Sequence, residues 1–187
     1  MLCSRDMTEL NPRTKQLGLE MMVARCALLI TEKHPRTDEL QRVVAMVLRP
    51  SWSNIEPNTW SLPGGRIEDV DSSGMRLDDD TSVNDKQLQA ITSHTVVRKM
   101  EDELGIKLRH EQLTFVDVFP NGPWATALFF ALRERRPGIT MRQKGSRLNE
   151  LDGQRWANVD ALAAVGAIFA DHGKLMEKVL QIVTAKK

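Results

Sequence analysis

The sequence predicts an α/β fold, a sheet covered on its faces by helices. Three observations carry the prediction. Compact runs of β-branched and apolar residues recur through the middle of the chain. A long amphipathic stretch, Asp85 to Leu104, lies among them. A second apolar stripe at helical spacing closes the chain. At 187 residues, with 41% hydrophobic and 27% charged side chains, the chain suits one soluble globular domain with appendages. A net charge of +1 sets up no global field toward nucleic acid or membrane.

Taken in order, Met1 to Gln16 reads as a flexible lead-in without the apolar segment of a secretory signal. Residues 17–187 form the expected domain. Leu17 to Ile30 is apolar through most of its second half and reads as one strand or two short ones, although a buried helix has the same pattern. Arg42 to Leu48 reads as a buried strand. Trp60 to Leu62 is a short strand running into Pro63-Gly64-Gly65, a strong break. Residues 69–84 are polar and acidic, the expected flexible insertion. The helix over Asp85 to Leu104 ends at Gly105, a natural left-handed cap. Two strands follow, Leu113 to Phe119 and Ala125 to Leu132, about the turn Pro120-Asn121-Gly122-Pro123. Gln154 to Ala157 reads as a short strand, and Asp160 to Ala163 and Lys174 to Thr184 as helical.

Two stretches carry chemistry. In Arg98-Lys99-Met100-Glu101-Asp102-Glu103-Leu104-Gly105, steps of three and four place Lys99, Asp102 and Glu103 on one helix face. Glu101 points away from Glu103. Paired carboxylates facing a cleft attract a hard divalent cation, which arrives with phosphates. The same acids also read as a solvated helix end with a Lys99–Glu103 pair. The second stretch, Leu62 to Glu68, holds a double glycine that lets backbone approach a ligand closely.

Together these stretches resemble the signature of the Nudix (MutT-like) hydrolase family: Gly, five residues, Glu, seven residues, then Arg-Glu-apolar-any-Glu-Glu-any-Gly-apolar. Arg98 to Ile106 matches the second half and Gly64 to Glu68 the first, after the lead Trp60 to Pro63. Glu150, Trp156, Asp160 and Leu162 loosely echo a downstream pattern. The resemblance implies a mixed β-sheet between helices. It implies Mg²⁺- or Mn²⁺-dependent attack of water on a phosphoanhydride of a nucleoside-diphosphate-linked substrate. It makes Asp102 and Glu103 catalytic acids and Gly64, Asp102, Glu103 and Glu150 metal ligands. Gly65, Glu68, Arg98, Lys99 and Gly105 are then motif positions, with Arg98 holding the loop to the helix through an ion pair.

The chain departs from the signature twice. Arg66 to Val97 spans 32 residues where the pattern has thirteen, so nineteen are extra, centred on the acidic stretch. Strict counting puts the first signature glutamate on Ala90; Glu68 survives nearby, and Asp85 is a substitute the insertion supplies. Lys99 stands where the pattern has glutamate. An ammonium neither ligates a cation nor accepts a proton unless its pKa is strongly depressed. Two functions follow: hydrolysis with a reduced metal set, or a catalytically silent Nudix-fold module that binds a nucleotide or RNA.

Other features are less specific. Arg133 to Arg147 holds six basic residues and one acid, a solvated loop or a phosphate grip. Phe119, Trp124 and Trp60 pack in the core or stack on a base. His94, one turn before Arg98, reads as a base or as a surface histidine, and His34, His110 and His172 make no spaced metal pattern. The expected partner is a nucleotide-type small molecule, with nucleic acid not favoured, no membrane, and a homodimer through the last helix undecided. Cys3 and Cys26 make no disulfide framework, which fits a reducing, cytoplasmic location.

Overall fold

A computed structural model of the chain describes residues 12–74, 83–138, 153–169 and 171–185. Seven strands form one mixed sheet: β1 (Met22–Lys33), β2 (Leu40–Leu48), β3 (Trp60–Ser61), β4 (Gly64–Arg66), β5 (Thr114–Asn121), β6 (Trp124–Arg133) and β7 (Gly153–Asn158). The order is β3-β2-β1-β6-β5, with β4 on β1 and β7 on β2. The β1–β6 pair is parallel and the other pairs antiparallel. The helices are α1 (Pro12–Gln16), α2 (Asp85–Leu104) and α3 (His172–Ala185).

Side-chain alternation divides the sheet into two buried faces. Ala24, Cys26, Leu28, Ala45, Val47, Ala127 and Phe129 pack against Val96, Met100 and Leu104 of α2. Ala27, Leu29, Val44, Met46, Leu128 and Phe130 pack against Leu175, Met176 and Val179 of α3. The predicted sheet between helices is therefore the observed one. The bounds of α2 match the periodic stretch. Asn84 accepts from the Gln87 N–H and Gln87 returns the bond, a reciprocal cap, and Gly105 closes the helix at φ +67°.

Two expectations need correction. Residues 12–16 are not a loose lead-in but helix α1, whose Arg13 and Thr14 N–H groups donate to Asp69 at 3.2 and 2.7 Å. The carboxylate sits at the helix start, where orphan N–H groups need an acceptor. The acidic insertion is likewise ordered at its beginning: Asp69–Ser72 form a 3₁₀ turn, with Asp71 and Ser72 buried. Residues 75–82 lie outside the described residues, as do most of the basic stretch after Gly138 and Glu150. No helix among the described residues is long and apolar enough to cross a membrane.

Candidate functional site

The site lies where β1 changes partner. Its first half pairs with β4, Arg25 opposite Gly64, and its second half with β2, Leu29 opposite Val44. The sheet opens between β4 and β2. Into this opening come Arg25, Leu62, the Gly64-Gly65 turn, Glu103 from α2 and His172 from α3.

Gly64 is required there by its backbone. Its φ is +136°, and a Cβ would drive into the Ala24 carbonyl oxygen. Its N–H donates to Glu103 Oε2 at 2.9 Å, and its carbonyl accepts from Arg25 Nη1 at 2.6 Å. Arg25 also donates to the Leu62 carbonyl at 3.2 Å. Burial pushes the Arg25 guanidinium down to about 10, against the opposing charge of Glu103. Gln154 donates through Nε2 to the Glu103 carbonyl. His172 Nδ1 accepts the Leu62 N–H at 3.0 Å, so its other nitrogen carries the proton of the neutral ring. Burial, then the charges of Arg25 and Arg49, hold His172 well below the usual histidine range.

Beneath the turn, α2 presents the expected motif residues. Arg98 donates from Nε and Nη2 to the two Asp71 oxygens, both at 2.7 Å, and from Nη1 to Glu68 at 2.9 Å. Burial opposes its charge, but the Asp71 and Glu68 carboxylates hold its pKa above the ordinary value. Thr95 Oγ1 and the Glu68 N–H both donate to Asp71 Oδ2, at 2.8 and 2.9 Å. The Lys99 stem lies against Gly65, where an added Cβ would meet Lys99 Cε at 2.7 Å. Its ammonium is 3.9 Å from Glu68 Oε1, with the side chain only 11% exposed. Asp102 adds to the charge felt by Arg98. Glu101 faces Lys107 at 3.9 Å, away from the turn.

The structure thus gathers Gly64, Gly65, Glu68, Arg98, Lys99 and Glu103 around one turn, places Asp102 on the same helix and Gly105 at its end, and leaves Glu150 outside the described residues. Asp85 opens α2, Ala90 lies within it, and the acid that shares Arg98 with Glu68 is Asp71. Sequence reading also passed over Arg25, although a lone arginine in an apolar strand is a legible sign of a buried polar task.

These donors fit a divalent ion poorly. Among the described residues, no group of three or more His, Cys, Asp or Glu converges on a possible metal site. The Gly64 carbonyl is held by a guanidinium, Glu103 Oε2 receives a backbone N–H, and a lysine fills the position of a ligating acid. Mg²⁺ wants oxygen donors in octahedral array, not two cations beside them.

No family model matches the sequence, and no curated protein matches it. Solved structures do resemble the fold. The NUDIX domain of Shewanella oneidensis NrtR, complexed with ADP ribose, superposes with a TM-score of 0.61 at 16% identity, over 98% of this chain and 99% of that one. A MutT/nudix family protein from Enterococcus faecalis gives 0.60 at 16% identity, over 98% of this chain and 76% of that one. A C. elegans Ap4A hydrolase binary complex gives 0.54 at 15%, over 87% and 98%. The chain has the Nudix fold.

Proposed function

We propose that this chain is a Nudix-fold module that binds a nucleoside-diphosphate-type ligand at the Gly64-Gly65 turn without metal-dependent hydrolysis. One observation carries the reading: two largely buried cations, Arg25 and Lys99, lie on the Gly64 carbonyl and against Gly65, where the resemblance implies a divalent ion. Their positive charge, felt through a low-dielectric interior, favours an anion over the turn without a bound metal. The Shewanella NUDIX domain was crystallised with ADP ribose, a ligand of this chemical class, which supports the choice.

The residues present explain why hydrolysis is not the proposed step. A bound divalent ion would supply charge neutralisation and an activated water. Lys99 cannot act as base while protonated, and Glu103 already accepts the Gly64 N–H. Among the described residues the acids that the resemblance implies are Asp102 and Glu103, and the Gly64 N–H already engages Glu103 Oε2.

The test has two arms. ADP-ribose binding is measured by calorimetry in EDTA and again in Mg²⁺. Product release from a panel of nucleoside diphosphate derivatives is then followed with Mg²⁺ and with Mn²⁺ for wild type, Lys99→Glu and Glu103→Gln. The expected result is binding of similar strength with and without metal, and no metal-stimulated release by wild type. Mg²⁺-dependent release that Glu103→Gln abolishes would overturn the reading and restore the hydrolase assignment.

A further inference from the structure

The α3 side of the sheet continues beyond the part that α3 covers. Cross-strand partners share a face, and so do residues two apart on a strand. Arg66 pairs with Val23, Val23 with Thr126, and Thr126 with Phe119. Trp124 lies two residues before Thr126. Arg66, Val23, Trp124 and Phe119 therefore form one patch, and Phe119 packs at the margin of the α3-side core. Arg66 is exposed; Val23, Trp124 and Phe119 are half-buried.

Within the patch the Arg66 guanidinium carbon lies 4.6 Å from the Trp124 ring centroid. The chain has other such stacks, but their guanidinium groups are tied down. Arg49, over Phe169, donates to the Ile55 carbonyl and Ser53. Arg155, over Trp60, donates to the Val165 carbonyl. Arg136, over Trp156, pairs with Glu32. The Arg66 guanidinium alone makes no hydrogen bond or ion pair among the described residues, while the Arg66 backbone carbonyl is fixed by Arg98 Nη2 at 3.3 Å. An exposed guanidinium with no hydrogen bond or ion pair among the described residues, lying over an indole one residue after the Gly64-Gly65 turn, is a platform for a planar group.

We propose that the Arg66–Trp124 stack, flanked by Phe119, is a nucleobase-stacking subsite. The base lies on the open face of the Arg66 guanidinium, and the edge N–H groups of that guanidinium turn toward the diphosphate. The inference rests on the binding function proposed above and adds the part of the ligand that is recognised: an aromatic base as well as a diphosphate.

Calorimetry in EDTA with ADP and with inorganic pyrophosphate tests it. Wild type is expected to prefer ADP by about tenfold, the scale of one stacked base. Trp124→Ala should collapse the preference, Trp124→Phe should keep most of it, and Arg66→Lys, which retains charge but not the plane, should reduce it. The two conservative variants keep the test valid if Trp124→Ala fails to fold. If wild type binds both ligands with no preference, or if Trp124→Ala and Arg66→Lys leave the preference unchanged, the subsite is wrong and the diphosphate-binding function stands. If wild type binds neither ligand, both proposals fall together.

Discussion

Arg98 shows what one residue contributes when its partners come from a distant segment. Three of its N–H donors meet carboxylates of Glu68 and Asp71, and Asp71 is only 3% exposed. The fork matches the carboxylate geometry, and Thr95 and the Glu68 N–H satisfy Asp71 further. Removing the guanidinium strands a buried anion, which costs more than the pair contributes to stability. Arg98→Ala is therefore expected to lower stability by about 3–5 kcal/mol, read as a shift of the urea midpoint at unchanged slope. Arg98→Lys should recover only part of that, because an ammonium cannot bridge both oxygens. A loss below about 1 kcal/mol for Arg98→Ala, the range of exposed pairs, would show that the pair is solvated rather than structural.

At the scale of the element, the Gly64-Gly65 turn separates two kinds of constraint. A Cβ on Gly64 meets backbone, the Ala24 carbonyl, and φ there is +136°. A Cβ on Gly65 meets the Lys99 stem near its mobile end, at 2.7 Å. Gly64→Ala should destabilise by about 2–4 kcal/mol through strain and overpacking. Gly65→Ala should cost far less and should push Lys99 aside, so thermal melting of the two variants side by side checks the arrangement. Equal losses would mean that Lys99 is held as firmly as backbone. This turn also marks how far sequence reading reaches. The α2 bounds were legible because periodicity, the Asn84 cap and Gly105 all agree. The strands of the core were legible from β-branched runs. Asp71 was not, because its segment is polar and its carboxylate is held by Thr95 and Arg98 of α2 rather than marked by its own pattern. The Arg66–Trp124 stack was equally hidden: its members sit on strands that touch only through β1, a relation set by register and not by spacing.

For the whole molecule, His172 ties the layers together. It begins α3, yet its ring accepts the Leu62 N–H inside the sheet opening and lies edge-on to Phe169 at 5.0 Å. Arg25 and Arg49 add positive charge around it. A proton on Nδ1 would break the bond to Leu62 and add a third cation to a buried site, so the neutral ring is the form the fold requires. The sign follows from linkage. The unfolded chain takes up this proton near the ordinary histidine pKa of about 6.5, and the folded chain only at lower pH. The stabilisation is complete above about 6.5 and is lost as pH falls from there toward the folded value. The melting temperature of wild type should drop between about pH 7 and pH 5, before most carboxylates protonate. His172→Gln, which keeps an acceptor but no titration, should show a shallower drop over the same interval. His94, exposed and ring-to-ring with His110 at 4.2 Å, is also shifted down, so His94→Gln serves as the control. If His172→Gln and wild type lose stability in parallel, the acid sensitivity lies elsewhere and the ring is not the link between α3 and the sheet opening.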